Sequence, residues 1–275
     1  MKSSGKYAIG LVYVQYTLIG VIFLGPVLWM VSASFKQNID ITAYPPVLVF
    51  SPTLDNYLNL FQQFPFGKYV LNSLIIASGS TLLALLVGSP AAYAIAKYKF
   101  YKLGFAALVV RMAPGVLFVI PFYIVAVNIG ALTSSLLNYS ALVLVHMVIT
   151  LPLVVWLLIP FFEGIPEDIE DAGLVDGCSP WQVFRKISLP LALPGLAVAS
   201  IISFIFSWNY FLFALTLSTD RTRPLPVIAF NFIGQGSADW GGLMAAATII
   251  SLPALVLTFF AQRWLVSGLT AGAVK

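Results

Sequence analysis

Six of the ten acidic residues in this 275-residue sequence, Glu163, Glu167, Asp168, Glu170, Asp171 and Asp176, fall in one short stretch. Ionised carboxylates make charge-assisted pairs with Arg and Lys, so such a cluster is a surface suited to a basic partner. Ala172 and Gly173 lie inside the stretch and Gly177 follows it. Small residues leave one side of a helix without bulk, so that a second surface can approach its backbone. The other reading of the same residues is a small face packed against the protein's own helices. His146 is the only histidine and Cys178 the only cysteine, which excludes an internal disulfide and any Cys/His metal motif.

A second set of candidates is polar or amphipathic and sits inside apolar sequence: Arg111 and the run Trp208-Asn209-Tyr210. An Arg at the centre of a membrane helix costs roughly 2.5–3.5 kcal/mol on insertion scales. Arg111 should therefore face a bundle interior or an aqueous path, snorkel, or bond to carbonyls opened by Pro114 and Pro121. Asn209 can both donate and accept, and the rings of Trp208 and Tyr210 suit the apolar faces of a sugar; the same residue types also serve helix packing. His146 has no acid in any apolar segment to relay a proton with, and reads as a hydrogen-bonded core residue. Gly79, Ser80, Gly88 and Ser89 are spaced for close helix packing.

The elements that must position these residues are set by composition. The chain is 60% hydrophobic and 9% charged, with a mean hydropathy of +0.97, far outside the soluble range. Six segments are long enough to cross a hydrocarbon core of about 30 Å: Ile9–Ser34, Val70–Ala96, Leu103–Val127, Leu137–Phe162, Leu193–Leu217 and Gly241–Val266. Each must be a helix, because an open strand in lipid leaves backbone groups unpaired. The sequence predicts an all-α polytopic membrane protein with six transmembrane helices. The first segment follows Lys2 and Lys6, but its apolar run exceeds a signal h-region and contains Pro26, so it reads as a retained anchor. With both termini cytoplasmic, nine basic residues lie inside (Lys2, Lys6, Lys97, Lys99, Lys102, Arg185, Lys186, Arg263, Lys275) and four outside (Lys36, Lys68, Arg221, Arg223), as the positive-inside rule requires. The basic residues are scattered over loops, so no nucleic-acid patch is present. One membrane domain is expected: residues 1–67 as an added helix and outer loop, 68–266 as the core, and 267–275 as a tail. In the outer loop Leu58, Leu60 and Phe61 could form a short interfacial helix, and the last outer loop, Ser218 to Trp240, is long enough to reach a partner.

Within the core, the acidic loop spans residues 163–192. Pro166 suits the first position of a helix whose early acids complement its dipole. Gly177 is placed to end it in a left-handed conformation. Ser179-Pro180-Trp181-Gln182 has the pattern of a capping box opening a second helix. Trp181, Phe184 and Ile187 form one stripe on it, and Leu189-Pro190 should break it before the fifth crossing. The loop is thus a compact helix–turn–helix beside the membrane.

Asp171-Ala172-Gly173, then Asp176-Gly177, Phe184, Ile187 and Leu189-Pro190 together resemble the EAA signature of importer-type ABC permeases. Asp171 stands where that family has Glu, and Gly173 where it has its second Ala. Asn72-Ser73-Leu74, Ala91-Ala92-Tyr93-Ala94, the run Phe204–Asn209 and the tail Gln262–Lys275 resemble the carbohydrate-uptake branch, in particular the second permease of maltose-type importers. The resemblance implies the type I importer permease fold and a place in the cytoplasmic membrane. It implies a coupling loop, with Glu170, Asp171, Ala172, Gly173, Asp176, Gly177, Phe184 and Pro190, that docks on an ATPase dimer. It also implies a second homologous permease, an extracytoplasmic binding protein and a carbohydrate substrate, with a tail near the ATPases and a last outer loop near the binding protein. Arg111, Trp208, Asn209 and Tyr210 are then the candidates for the translocation path, although in maltose-type importers the ligand mostly touches the other permease.

Other functions fit less well. Ion-coupled secondary transporters place carboxylates or broken helices at the midplane, and the six crossings hold no Asp or Glu. An intramembrane enzyme lacks its groups. No GxxxxGK[ST] occurs in the chain, so ATP and Mg²⁺ are expected only in partner subunits. An ABC permease for a polyol, glycerol phosphate or an amino acid remains a competing substrate assignment.

Overall fold

The computed structural model describes residues 4–229, 232 and 239–271, with side chains at 11–229, 232 and 239–260. Among the described residues every regular element is helical. Four helices are long and apolar enough to cross a membrane: Leu11–Ser34, Phe66–Lys97, Ser135–Glu163 and Trp240–Phe260. Two further stretches pass only as bent pairs. Tyr101–Met112 and Val116–Asn128 meet at 90°, and Pro180–Leu191 and Leu193–Trp208 at 76°. The expected third segment, Leu103–Val127, is therefore broken, because Pro114 cannot continue the hydrogen-bond ladder. The expected fifth segment also ends early, at Trp208, and resumes at Leu212–Leu217.

The chain divides into two compact units. Residues 1–66 and 229–252 form one, 67–228 and 253–275 the other. In the first unit, α1 (Ser4–Ser34) runs through Pro26. After α2 (Asn38–Ile41), helix α3 (Asp55–Gln63) fills the position of the expected interfacial helix; it buries Leu60 and leaves Leu58 and Phe61 exposed. Asn56 ties α3 to the end of α1 by donating to the Ser34 and Lys36 carbonyls. Lys36, assigned from sequence to an outer loop, is buried: Nζ donates to the Val47 carbonyl at 2.6 Å and lies over the Trp29 and Phe50 rings. Asp239 caps the final helix by accepting from the Gly242 N–H.

The second unit contains α4 (Phe66–Lys97, entered at Gly67), α5 (Tyr101–Met112), α6 (Val116–Asn128) and α7 (Ser135–Glu163). The acidic loop follows as α8 (Glu167–Val175), α9 (Pro180–Val183), a π turn (Phe184–Ser188) and α10 (Leu189–Leu191). Then come α11 (Leu193–Trp208), α12 (Leu212–Leu217) and α13 (Leu225–Ala229). Helix α7 is the centre of this unit and packs on α11 and α5. Its Leu142, Val154 and Leu158 are fully buried. The small residues of α4 make this possible: Gly79 lies against Val143 and Gly88 against Val154, as their spacing indicated. The last helix, α14 (Trp240–Ala271), continues without a break into the expected tail. The tail's side chains and residues 272–275 lie outside the described residues.

A Cβ at Gly88 would fall 2.8 Å from Val154 Cγ1, whereas Gly67 has open space around it. Gly88→Leu should therefore destabilise the protein by about 1–3 kcal/mol through overpacking, lowering its thermal midpoint in detergent. Gly67→Ala should leave the midpoint unchanged, and equal effects of the two would contradict this packing.

Candidate functional site

The acidic loop is built by local signals that act in sequence. Pro166 is the N-cap of α8 rather than its first helical residue, with ψ at 131°. That extended ψ turns the chain so that Glu167, Asp168 and Glu170 occupy the first turn, where their charge complements the dipole. At the other end Gly177 has φ +84°. The Cys178 and Gly177 N–H groups donate to the Gly173 and Leu174 carbonyls at 3.0 and 3.1 Å, the Schellman pattern that ends a helix and turns the chain. Two residues later the capping box closes: the Ser179 N–H donates to Gln182 Oε1 at 2.8 Å, and the Gln182 N–H donates to Ser179 Oγ.

Leu189-Pro190 does not break the second helix, contrary to expectation. A π turn over Phe184–Ser188 precedes it, and the helix runs on to Leu191. Proline supplies no N–H and crowds the preceding turn, and a widened π turn absorbs both demands. The bend of 76° comes after it, between Leu191 and Leu193.

Exposure divides the candidate loop residues into two groups. Glu170 turns inward and is 4% exposed. Its Oε2 lies 2.6 Å from Lys97 Nζ, at the end of α4, and its Oε1 accepts from Ser188 Oγ at 2.6 Å. Phe184 is also buried, against Tyr93, Phe162 and Trp181 at 5.0, 6.2 and 5.1 Å between ring centroids. Gly173 faces its own loop: a Cβ there would collide with the Ile187 methyl. Its smallness serves internal packing, the second of the two readings the sequence left open. Asp171, Ala172, Asp176, Gly177 and Pro190 are exposed, and the Asp171 side chain keeps 64% of its surface free. Val175 at 88% and Trp181 at 60% exposure lie on the same loop. The outcome is an exposed acidic and apolar surface on a scaffold fixed from behind. Lys97 and Ser188, which fix it, were not singled out in the sequence; no spacing rule links residues so far apart.

At the opposite end of α4 and α7, buried amides hold the loop that follows α12. Asn72 donates to the Arg221 and Arg223 carbonyls and accepts from Tyr139 Oη at 2.6 Å. Asn138 donates to the Leu217 carbonyl and accepts from Thr222 Oγ1, and the Leu225 N–H donates to Ser73 Oγ. Residues 218–225 are thus tied down. The expected reach of the remaining outer loop falls mainly on residues 230–231 and 233–238, outside the described residues.

Between the two ends lies a cavity of about 320 Å³ walled by Phe118, Phe122, Phe206, Tyr210 and Phe213 and lined by Arg111. Arg111 is in the last turn of α5, just before the 90° break, with its guanidinium 4.9 Å from the Phe206 ring centroid. Such a cation–π contact contributes about 0.5–2 kcal/mol, which does not offset the roughly 2.5–3.5 kcal/mol cost of a central membrane Arg. The break also makes room for Tyr210, since a Cβ at Gly115 would fall 2.5 Å from its Oη. Of the run Trp208-Asn209-Tyr210, only Tyr210 joins Arg111. Trp208 is buried and stacked on Phe204, and Asn209 Nδ2 donates to its own helix at the Ile205 carbonyl. His146 lies in the core with Nδ1 2.9 Å from Ser207 Oγ, which is 2.8 Å from Ser80 Oγ.

These features define a polytopic helical membrane protein, with a loop of short helices set off at an angle from its spans. The chain belongs to the family of binding-protein-dependent transport system inner membrane components, whose pattern it matches over residues 84–271. It is 36% identical to the trehalose transport system permease protein SugB of Mycobacterium tuberculosis, over 91% of this chain and 92% of that one. It is 34% identical to the trehalose/maltose transport system permease protein MalG of Thermococcus litoralis, over 94% of each. Its fold matches a crystal structure of a bacterial ABC transporter involved in the import of the acidic polysaccharide alginate, with a TM-score of 0.75, 19% identity and coverage of 96% of this chain and 98% of that one.

The Lys97–Glu170 pair generates a test of the loop scaffold. Lys97→Met strands a carboxylate that is almost wholly buried, a loss on the order of 2–3 kcal/mol; the 24% exposure of the Lys97 side chain keeps it below the figure for a fully buried pair. Adding Glu170→Leu should recover most of the loss in thermal midpoint, because both charges are then gone. Additive losses in the double variant would show that the two groups are not coupled.

Proposed function

We propose that this chain is one permease subunit of an ATP-driven importer, forming half of the path for a carbohydrate handed over by an extracytoplasmic binding protein. The substrate class is supported by relatives named for trehalose, trehalose/maltose and diacetylchitobiose transport. The partnership with a binding protein is supported by the family's description and by a fold neighbour crystallised with an alginate pentasaccharide-bound periplasmic protein.

In this reading the bent pair Tyr101–Met112 and Val116–Asn128 is one span and the fifth span begins at Leu193, giving six, and both termini are cytoplasmic, in keeping with the excess of basic residues on that side. The acidic loop then faces the cytoplasm and docks on one of two ATPase subunits, which hold the ATP and Mg²⁺. The observation that carries the docking role is the exposed face of Asp171, Ala172, Val175 and Asp176 on a loop whose buried side is pinned to α4. When the ATPases close, a push on that face passes through α8 to Lys97 at the end of α4. It also passes through Ser188 to the run that leads into α11. A second permease completes the path.

Affinity purification of the tagged chain from its native membranes in mild detergent tests the assembly. A second permease and two ATPase copies should accompany it. Asp171→Lys with Asp176→Lys should cost the ATPase copies and uptake while the chain still inserts and retains the second permease. Normal uptake by that double variant would contradict the docking role.

A further inference from the structure

We propose that the cavity at Arg111 is an anion-binding subsite of the translocation path, built for a carbohydrate that carries a carboxylate. The inference rests on the importer reading above and narrows its substrate class.

Arg111 has no carboxylate of its own chain to pair with. The sequence contains no Asp or Glu between Asp55 and Glu163, nor between Asp176 and Asp220, and the cavity is lined by none. Among the described residues its partner is the face of Phe206. That contact leaves the five guanidinium N–H donors without an acceptor, and a guanidinium fork matches a carboxylate in two-point geometry.

Depth excludes the simplest alternative, a lipid phosphate. The cavity is lined by Val148, Ile149 and Pro152, at the middle of the α7 span Ser135–Glu163, far from either headgroup layer. The arginine is also held in place: it ends α5 at a proline break, where the next helix turns away at 90°.

The rest of the cavity suits a sugar ring. Phe118, Phe122, Phe206 and Phe213 give flat apolar walls, and Tyr210 adds a hydroxyl on the same wall system as the guanidinium. Aromatic faces accept the C–H face of a pyranose, while one charged and one hydroxyl group fix its orientation. About 320 Å³ lies within the size range of small-molecule sites. A bound carboxylate would replace the hydration that the guanidinium has lost.

The test uses the intact complex of both permeases and both ATPases in nanodiscs without the binding protein, so that the binding protein's own selectivity plays no part. Two probes are compared by saturation-transfer NMR and competition: a glucose disaccharide and its counterpart with one glucuronic acid. The acidic probe should bind at least about tenfold tighter, the factor one charge-assisted hydrogen bond supplies. Arg111→Gln should reduce that ratio to about one, and Arg111→Lys should keep part of it. Equal affinities in the wild type, or a ratio that survives Arg111→Gln, would overturn the proposal. So would loss of the second permease on purifying Arg111→Gln, because the arginine would then be pairing across the permease interface. If the complete system imports neutral disaccharides but shows no acid preference, the subsite fails and the importer reading stands. If it imports no carbohydrate of either kind, the importer reading itself fails.

Discussion

The buried carboxylate of Glu170 is the interaction on which the rest of this structure depends. A carboxylate at 4% exposure is costly unless it is paired and its remaining lone pairs are used. Lys97 and Ser188 meet both demands, and in doing so they connect three parts of the chain: the end of α4, helix α8 and the π turn before α11. The Schellman turn at Gly177 and the capping box at Ser179 shape the loop, but the ion pair fixes it to the membrane helices. A loop fixed in this way transmits force; one attached only by its covalent ends would yield to it.

The membrane imposes the second constraint, that polar groups must be satisfied inside the chain. Single side chains meet much of it, although Thr81 Oγ1, His146 Nε2, Ser203 Oγ and Ser218 Oγ are buried without a hydrogen-bond partner. Ser207 bridges His146 and Ser80, and Asn72 and Asn138 hold the carbonyls of the loop that follows α12. Arg111 is left to an aromatic face, beside the helix break that widens the space around it. The same chain is therefore rigid at both ends of α4 and α7 and carries its unneutralised charge between them.

Much of this was legible in the sequence, for reasons that can be named. Helix ends are encoded by neighbouring residues, so the stop at Gly177 and the start at Ser179 were read correctly from a few positions each. The small residues of α4 likewise declared their packing, because Gly in an apolar helix has few other uses. What failed depended on distant contacts or on how a proline is accommodated locally. Glu170 could not be told apart from Asp171, since the inward turn of one carboxylate is decided by Lys97, more than seventy residues earlier in the sequence. Pro190 was read as a breaker, although a π turn before it absorbs the defect. The third apolar segment gave the length of a span but not its 90° break, which hydropathy cannot register. Trp208, Asn209 and Tyr210 read as one group, yet the end of α11 sends their side chains to three different environments.

The central claim is that the exposed face of α8 meets an ATPase subunit while its buried face is tied to the spans. Cysteine cross-linking from Val175, which is 88% exposed, tests this most directly. In the assembled complex, with Cys178→Ser as background, Val175→Cys should cross-link to the ATPase subunit and lose reactivity toward a soluble maleimide when that subunit is present. Unchanged maleimide reactivity with no cross-link would show that the face stays in solvent, and would contradict the account.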